Sequence, residues 1–181
     1  MRFSETKLSG AYIIDLDRFD DHRGSFLRSW CRREFTERGL ASDYVQGNIS
    51  VNPRRGTLRG MHFQVSPHRE VKLMRCARGE ILDVIVDIRP DSRTFRQWIG
   101  VELRAEDYRM LYIPEGFAHG FQTLCDEVEV QYMVSNYYTP EAARGLRHDD
   151  PAIAISWPIP VTEISQADQA WPLLDSRKLI A

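Results

Sequence analysis

The sequence predicts an all-β fold, a β-sandwich or small barrel, from three observations. Short runs rich in Val, Ile, Leu and Tyr recur along the chain, and Gly, Asp and Pro punctuate them at close spacing. One of the runs alternates apolar and polar residues with the period of a half-buried strand. The chain has 181 residues and a mass of 21.1 kDa, enough for one domain with a sizeable core and too short for two. No internal repeat, low-complexity stretch or linker-like shift divides it, so residues 1–181 are expected to form a single domain.

Taken in order, Tyr12–Leu16 reads as a strand, and Asp20-Asp21-His22-Arg23-Gly24 as a turn, because Asp bonds locally and Gly accepts positive φ. Residues 31–39 suit a short helix stopped by Gly39. Val71–Cys76 and Ile81–Ile88 read as two strands of a hairpin turning at Ala77-Arg78-Gly79-Glu80. Trp98–Leu103, Met110–Ile113, Ala118–Thr123 and Glu127–Val134 are further strands. In the last, Val128, Val130, Tyr132 and Val134 share the interior face, while Glu127, Glu129 and Gln131 point away. From Ile153 the prolines predict irregular structure with one short helix near Ser165–Ala170.

Composition excludes several function classes. Lys+Arg 24 against Asp+Glu 26 gives a net charge of -2, so no global field draws the chain to nucleic acid or to an anionic membrane. No run approaches the roughly 18 apolar residues of a membrane span, and the start lacks the apolar core of a secretory signal. Cys31, Cys76 and Cys125 are odd in number and widely spaced, which argues against a disulfide framework or thiolate zinc site and favours a reducing, cytoplasmic setting.

Four residues stand out chemically, each with a plainer reading beside it. His62 lies in the apolar segment Arg59-Gly60-Met61-His62-Phe63-Gln64, where it is either a bonded core histidine or a metal ligand. His-x-His followed by Glu is the usual metal pattern in small barrels. Here His68 stands six residues on, which fits poorly, and no metal is expected. Lys72, flanked by Val71 and Leu73, is either a snorkelling surface group or a buried charge. His119, within Gly116-Phe117-Ala118-His119-Gly120, sits at a strand corner or in a site. Tyr132 is a core tyrosine with its hydroxyl at the rim, or an acid aimed inward.

The segments around these residues resemble the dTDP-4-dehydrorhamnose 3,5-epimerase family. The matching pieces include Asp21-His22-Arg23-Gly24-Ser25-Phe26, Leu58-Arg59-Gly60-Met61-His62-Phe63-Gln64, Lys72-Leu73, and Tyr112 through Phe121. Asn136-Tyr137-Tyr138 and Asp149-Asp150-Pro151 match as well, so the resemblance runs from about Tyr12 to Leu174. It implies an all-β fold of cupin-like jelly-roll barrel type with a few short helices. It further implies a homodimer, with the N-terminal strands as the exchange site, and an enzyme that works without metal or other cofactor. The implied partner is a nucleotide-diphosphate sugar, with no nucleic acid and no membrane.

The implied substrate carries a ketone at C4 that acidifies the hydrogens on C3 and C5. Inverting either carbon through an enolate needs a base on one face, an acid on the other, and a positive group beside the oxyanion. By resemblance His62 is the base, Asp168 its paired carboxylate, Tyr132 the acid and Lys72 the cation. His119 resembles a sugar contact, and Arg23 and Arg59 the arginines that hold the diphosphate. Phe26 and Tyr138 offer stacking walls, and Gln46, Asn48 and Arg28 fall at nucleotide-binding positions. The chain departs from the family chiefly there. Arg28 replaces a Glu, Gly47 and Ile49 replace Asp and His around Asn48, Ala143 replaces a Glu and Ala167 a Lys. The proton-transfer groups are kept while the nucleotide grip changes, so a cytidine or guanosine carrier, or inversion at one carbon, stands as the alternative. A ketoisomerase, a metal-dependent cupin enzyme and a non-catalytic sugar-nucleotide binder are the remaining rivals.

Overall fold

The computed structural model describes residues 1–174; residues 175–181, the end of the predicted domain span, lie outside it. In chain order the elements are β1 (Arg2–Glu5), β2 (Tyr12–Asp15), β3 (Arg18–Asp21), β4 (Gly24–Leu27), α1 (Arg32–Thr36), β5 (Gln46–Asn52) and β6 (Thr57–Gln64). They continue with β7 (Lys72–Arg78), β8 (Glu80–Asp87), β9 (Trp98–Arg104), β10 (Met110–Ile113), β11 (Phe117–Thr123) and β12 (Val128–Val134). The last are β13 (Ala143–Gly145), β14 (Glu163–Ile164) and α2 (Gln166–Gln169).

Two sheets face each other. The first runs β1-β2-β10-β7-β12-β5 and the second β13-β6-β11-β8-β9, with β14 parallel to β6 and every other pairing antiparallel. β3 and β4 form a separate two-stranded hairpin. This is the all-β, cupin-like jelly-roll architecture expected, built as an open sandwich, since the sheets do not close into a continuous barrel.

Strand periodicity sorts the apolar residues into three cores. Met74, Cys76, Ile81, Ile85, Leu111, Ile113, Phe117, Phe121, Val128 and Val130 fill the space between the sheets. Residues one position out of phase, such as Leu73, Met110 and Tyr112, pack beneath Phe35 of α1 on the outer face of the first sheet. Val84, Val86, Met61 and Ala118 do the same on the second, under Leu146, Ile153 and the tail residues Ile155 and Trp157. Each fully buried side chain of this size contributes about 1.5–3 kcal/mol. Both sheets are largely covered outside, and the inter-sheet space stays unfilled at one end.

The structure corrects one prediction of pairing. β7 and β8 are not a hairpin: β7 bonds β10 and β12, and β8 bonds β9 and β11. At Gly79 the chain steps from one sheet to the other instead of reversing beside itself. A Gly-centred turn between two apolar runs serves either connection, and the unbroken burial of Val84–Asp87 marks a strand covered on both faces. The helix predicted over 31–39 forms only at Arg32–Thr36, and the strand at 127–134 starts at Val128 because Glu127 takes a positive φ of 57°. The helix near Ser165 forms as α2.

Candidate active site

Inter-sheet residues at the unfilled end line a cavity of about 490 Å³. The second sheet contributes His62 and Gln64 from β6, and the first contributes Lys72 from β7 and Tyr132 and Val134 from β12. Gln46 and Asn48 of β5 extend the first wall, because register sets Asn48 opposite Tyr132 and Gln46 opposite Val134. Asp168, Ala167 and Trp171, from α2 and the residues after it, close the side next to β6.

Asp168 is placed by its cap. Ser165 Oγ accepts from the Asp168 backbone N–H at 3.0 Å, starting α2 and turning the carboxylate toward β6. Only 6% exposed, that carboxylate accepts from the Gly60 N–H (3.2 Å), Trp171 Nε1–H (3.2 Å) and His62 Nε2 (2.6 Å). Burial pushes the Asp168 carboxyl up, but the bond and charge of His62 and the bonds from Gly60 and Trp171 outweigh it and hold the group below the usual carboxylate range. An ionised carboxylate only accepts, so His62 Nε2 carries a proton, and in the neutral ring the free lone pair is then on Nδ1.

Two close approaches fix this geometry. Gly60 has φ of 137°, and a Cβ there would stand 2.6 Å from Gly120 Cα, so β6 and β11 meet in contact beside His62. Gly145 lies flat against the indole of Trp171, where a Cβ would fall 2.4 Å from the ring.

Lys72 is 12% exposed, and its Nζ stands 3.1 Å from Glu70 Oε1. The other Glu70 oxygen accepts from Gln64 Nε2 at 3.3 Å, and the same amide donates to the carbonyls of His68 and Tyr137. Burial pushes the Tyr132 phenol above its ordinary value, Glu70 adds to the rise and Arg59 opposes it.

The cavity thus brings together seven sequence-predicted residues: His62, Lys72, Tyr132, Asp168, Gln46, Asn48 and Tyr138. His119 lies elsewhere: on β11 next to His62, it is buried and bonded through Nε2 to Asp83 at 2.6 Å. Arg59 Nε donates to Asn52 at 2.7 Å. Arg23 sits on the β3–β4 turn paired with Asp21, Phe26 of β4 is 67% exposed, and Arg28 Nη1 stands 3.6 Å from Glu34. Sequence reasoning missed Glu70, Gln64, Trp171 and Asp83. Glu70-x-Lys72 and the charge of Asp83 inside an apolar strand were the available signals; nothing marked Trp171. Among the described residues no three His, Cys, Asp or Glu side chains converge on a point that would hold a metal, and no helix is long and apolar enough to cross a membrane.

A family model described as dTDP-4-dehydrorhamnose 3,5-epimerase matches residues 5–176. The chain is similar to the dTDP-4-dehydrorhamnose 3,5-epimerase of Salmonella typhimurium, 44% identical over 177 residues, covering 97% of this chain and 96% of the relative. It is similar to the solved dTDP-4-dehydrorhamnose 3,5-epimerase from Elizabethkingia anophelis, with a TM-score of 0.94, 37% identity, and 99% and 98% of the two chains covered. It is also similar to the dTDP-6-deoxy-D-glucose-3,5-epimerase from Legionella pneumophila, solved with dTDP-4-keto-L-rhamnose, at a TM-score of 0.92, 37% identity, and 98% and 96% coverage. Sequence and fold agree over nearly the full length, and the chain belongs to the dTDP-4-dehydrorhamnose 3,5-epimerase family.

Proposed function

We propose that the protein is an isomerase that inverts C3 and C5 of a nucleotide-diphosphate-linked 4-keto-6-deoxy sugar, with thymidine as the carrier. One observation carries the reading: His62 of the second sheet, oriented by Asp168 of α2, shares a cavity with Tyr132 and Lys72 of the first. His62 Nδ1 removes the proton beside the C4 ketone, and Asp168 steadies the imidazolium that results. The electron pair moves onto O4, where the Lys72 ammonium stabilises the enolate. Tyr132 returns a proton from the opposite face, which inverts the carbon; His62 then gives its proton to solvent and Tyr132 takes one back, which restores both groups for the second carbon.

The test is incubation with dTDP-4-keto-6-deoxyglucose in deuterium oxide, followed by proton NMR. Deuterium is expected at both C3 and C5 with the epimerised product. No exchange at either carbon, with this or any other nucleotide carrier, would overturn the proposal.

A second reading, a different carrier, is favoured by two side chains. Ala143 and Ala167 both line the cavity, where the family resemblance leads one to expect Glu and Lys. The methyl groups leave more room and remove two charges from the wall. Parallel arms with cytidine- and guanosine-linked sugars decide between carriers by their relative kcat/KM.

A homodimer completes this reading. Phe19 and Phe26 of the β3–β4 hairpin, and Ile49 and Val51 on edge strand β5, are exposed apolar side chains of the kind that seek a second copy. In such a dimer the hairpin would bring Arg23, Phe26 and Arg28 to the partner's cavity. Three free thiols, Cys31, Cys76 and Cys125, suit the cytoplasm as its location.

A further inference from the structure

We propose that Glu70 is a positioning residue of the reaction: its carboxylate, braced by Gln64, fixes the direction of the Lys72 ammonium and supplies the negative background against which Tyr132 gives up its proton. The inference rests on the epimerase reading and adds to it a charged group that does not itself touch the reacting atoms.

Three observations support it. Glu70 is 11% exposed, so its charge is not spent on solvent, and both oxygens are engaged, one by Lys72 at 3.1 Å and one by Gln64 at 3.3 Å. Gln64 Nε2 shares its two hydrogens among Glu70 and the carbonyls of His68 and Tyr137, and its Oε1 accepts from the Thr139 N–H at 2.7 Å, so the brace does not swing with the side chain it supports. Glu70, Lys72 and Tyr132 also line one cavity.

An ammonium on a four-carbon stem has many rotamers, and a bonded carboxylate selects one of them. A negative charge near a phenol favours its protonated form, and burial acts in the same direction at Tyr132. The other charged or titratable groups on the cavity are His62 of β6, Tyr138 after β12, Arg144 of β13 and Asp168 of α2, and Arg59 of β6 acts on Tyr132 from outside it. Asp168 is already committed to His62, which leaves Glu70 as the carboxylate that faces Lys72 and Tyr132.

Two variants separate charge from position. Glu70→Gln keeps an oxygen for Lys72 and removes the charge. Its rate profile should fall on the alkaline side at a lower pH than in the parent, as expected when one neighbouring negative charge is lost. Glu70→Ala removes both, and kcat should drop about 10- to 100-fold with KM within twofold, because Lys72 acts on the transition state and not on the nucleotide. Thermal melts by circular dichroism accompany both, so that a fall in rate is read only from folded protein. An alkaline limb unmoved in Glu70→Gln, or a raised KM with unchanged kcat in Glu70→Ala, would overturn the inference. A parent inactive on every 4-keto sugar would instead overturn the epimerase reading on which it stands.

Discussion

Replacing Asp168 with Asn changes one atom in a site where both oxygens are in use. Oδ1 accepts from His62 and Trp171, and Oδ2 from the Gly60 N–H. The amide offers one acceptor and one NH₂. If the NH₂ faces Gly60, two donors meet and a buried donor goes unpaired, at a cost of about 1–3 kcal/mol. If it faces His62, Nε2 must become the acceptor, the ring proton moves to Nδ1, and the nitrogen that should act as base is blocked. The first outcome lowers stability and the second removes the base, so the variant loses on one count or the other. A positioned base contributes about 10²–10⁴ in rate; a loss of about 10³ corresponds to about 4 kcal/mol of barrier. Deuterium wash-in at C3 and C5 measures it directly, with a melt to register the stability loss. Exchange within threefold of the parent, in a variant of unchanged melting temperature, would refute the argument that Asp168 sets the histidine tautomer.

Other expectations follow from the same geometry. Tyr132→Phe removes the far-face acid and leaves the base, so solvent deuterium should still enter while inversion slows at least about 10²-fold; NMR that separates exchange from epimerised product checks it. Asp168 and Asp87 both titrate below the ordinary carboxylate value, Asp87 because bonds from Arg89, Ser92 and Thr94 outweigh its burial. Their folded forms therefore bind protons less readily than the unfolded chain. The stability they confer is complete above the ordinary carboxylate pKa near 3.8 and is lost as pH falls through the lower folded values, which denaturant melts across that range will show. Gly145→Ala forces a methyl group into the Trp171 ring and should cost about 1–3 kcal/mol while disturbing the Asp168 bond; a melt and a rate measurement register the two effects separately.

Much of this fold is visible in local sequence because strand alternation is local. The period-two run at 128–134 puts Tyr132 on the inner face, and the structure has it there with Val128, Val130 and Val134. The run at Met110–Ile113 likewise divides its side chains between the central and outer cores. Pairing is not local, and that is where reading the chain failed. Gly79 looks the same in a hairpin and in a step between sheets, and only the partners of β7 and β8 tell them apart. The site shows the same division. His62, Lys72 and Tyr132 are conspicuous within their own segments, whereas Glu70 and Trp171 matter through contacts to residues on other elements. Arg23, Phe26 and Arg28 lie on or just beyond an exposed hairpin, outside the cavity of their own chain.

Because the proposed base, His62, hangs from one sheet and the proposed acid, Tyr132, from the other, their separation is a property of the sandwich and not of any loop. Stacked sheets sit about 10 Å apart, and the side chains packed between them hold that spacing. A change in the side chains packed between the sheets would therefore shift His62 and Tyr132 relative to each other even where neither residue is replaced.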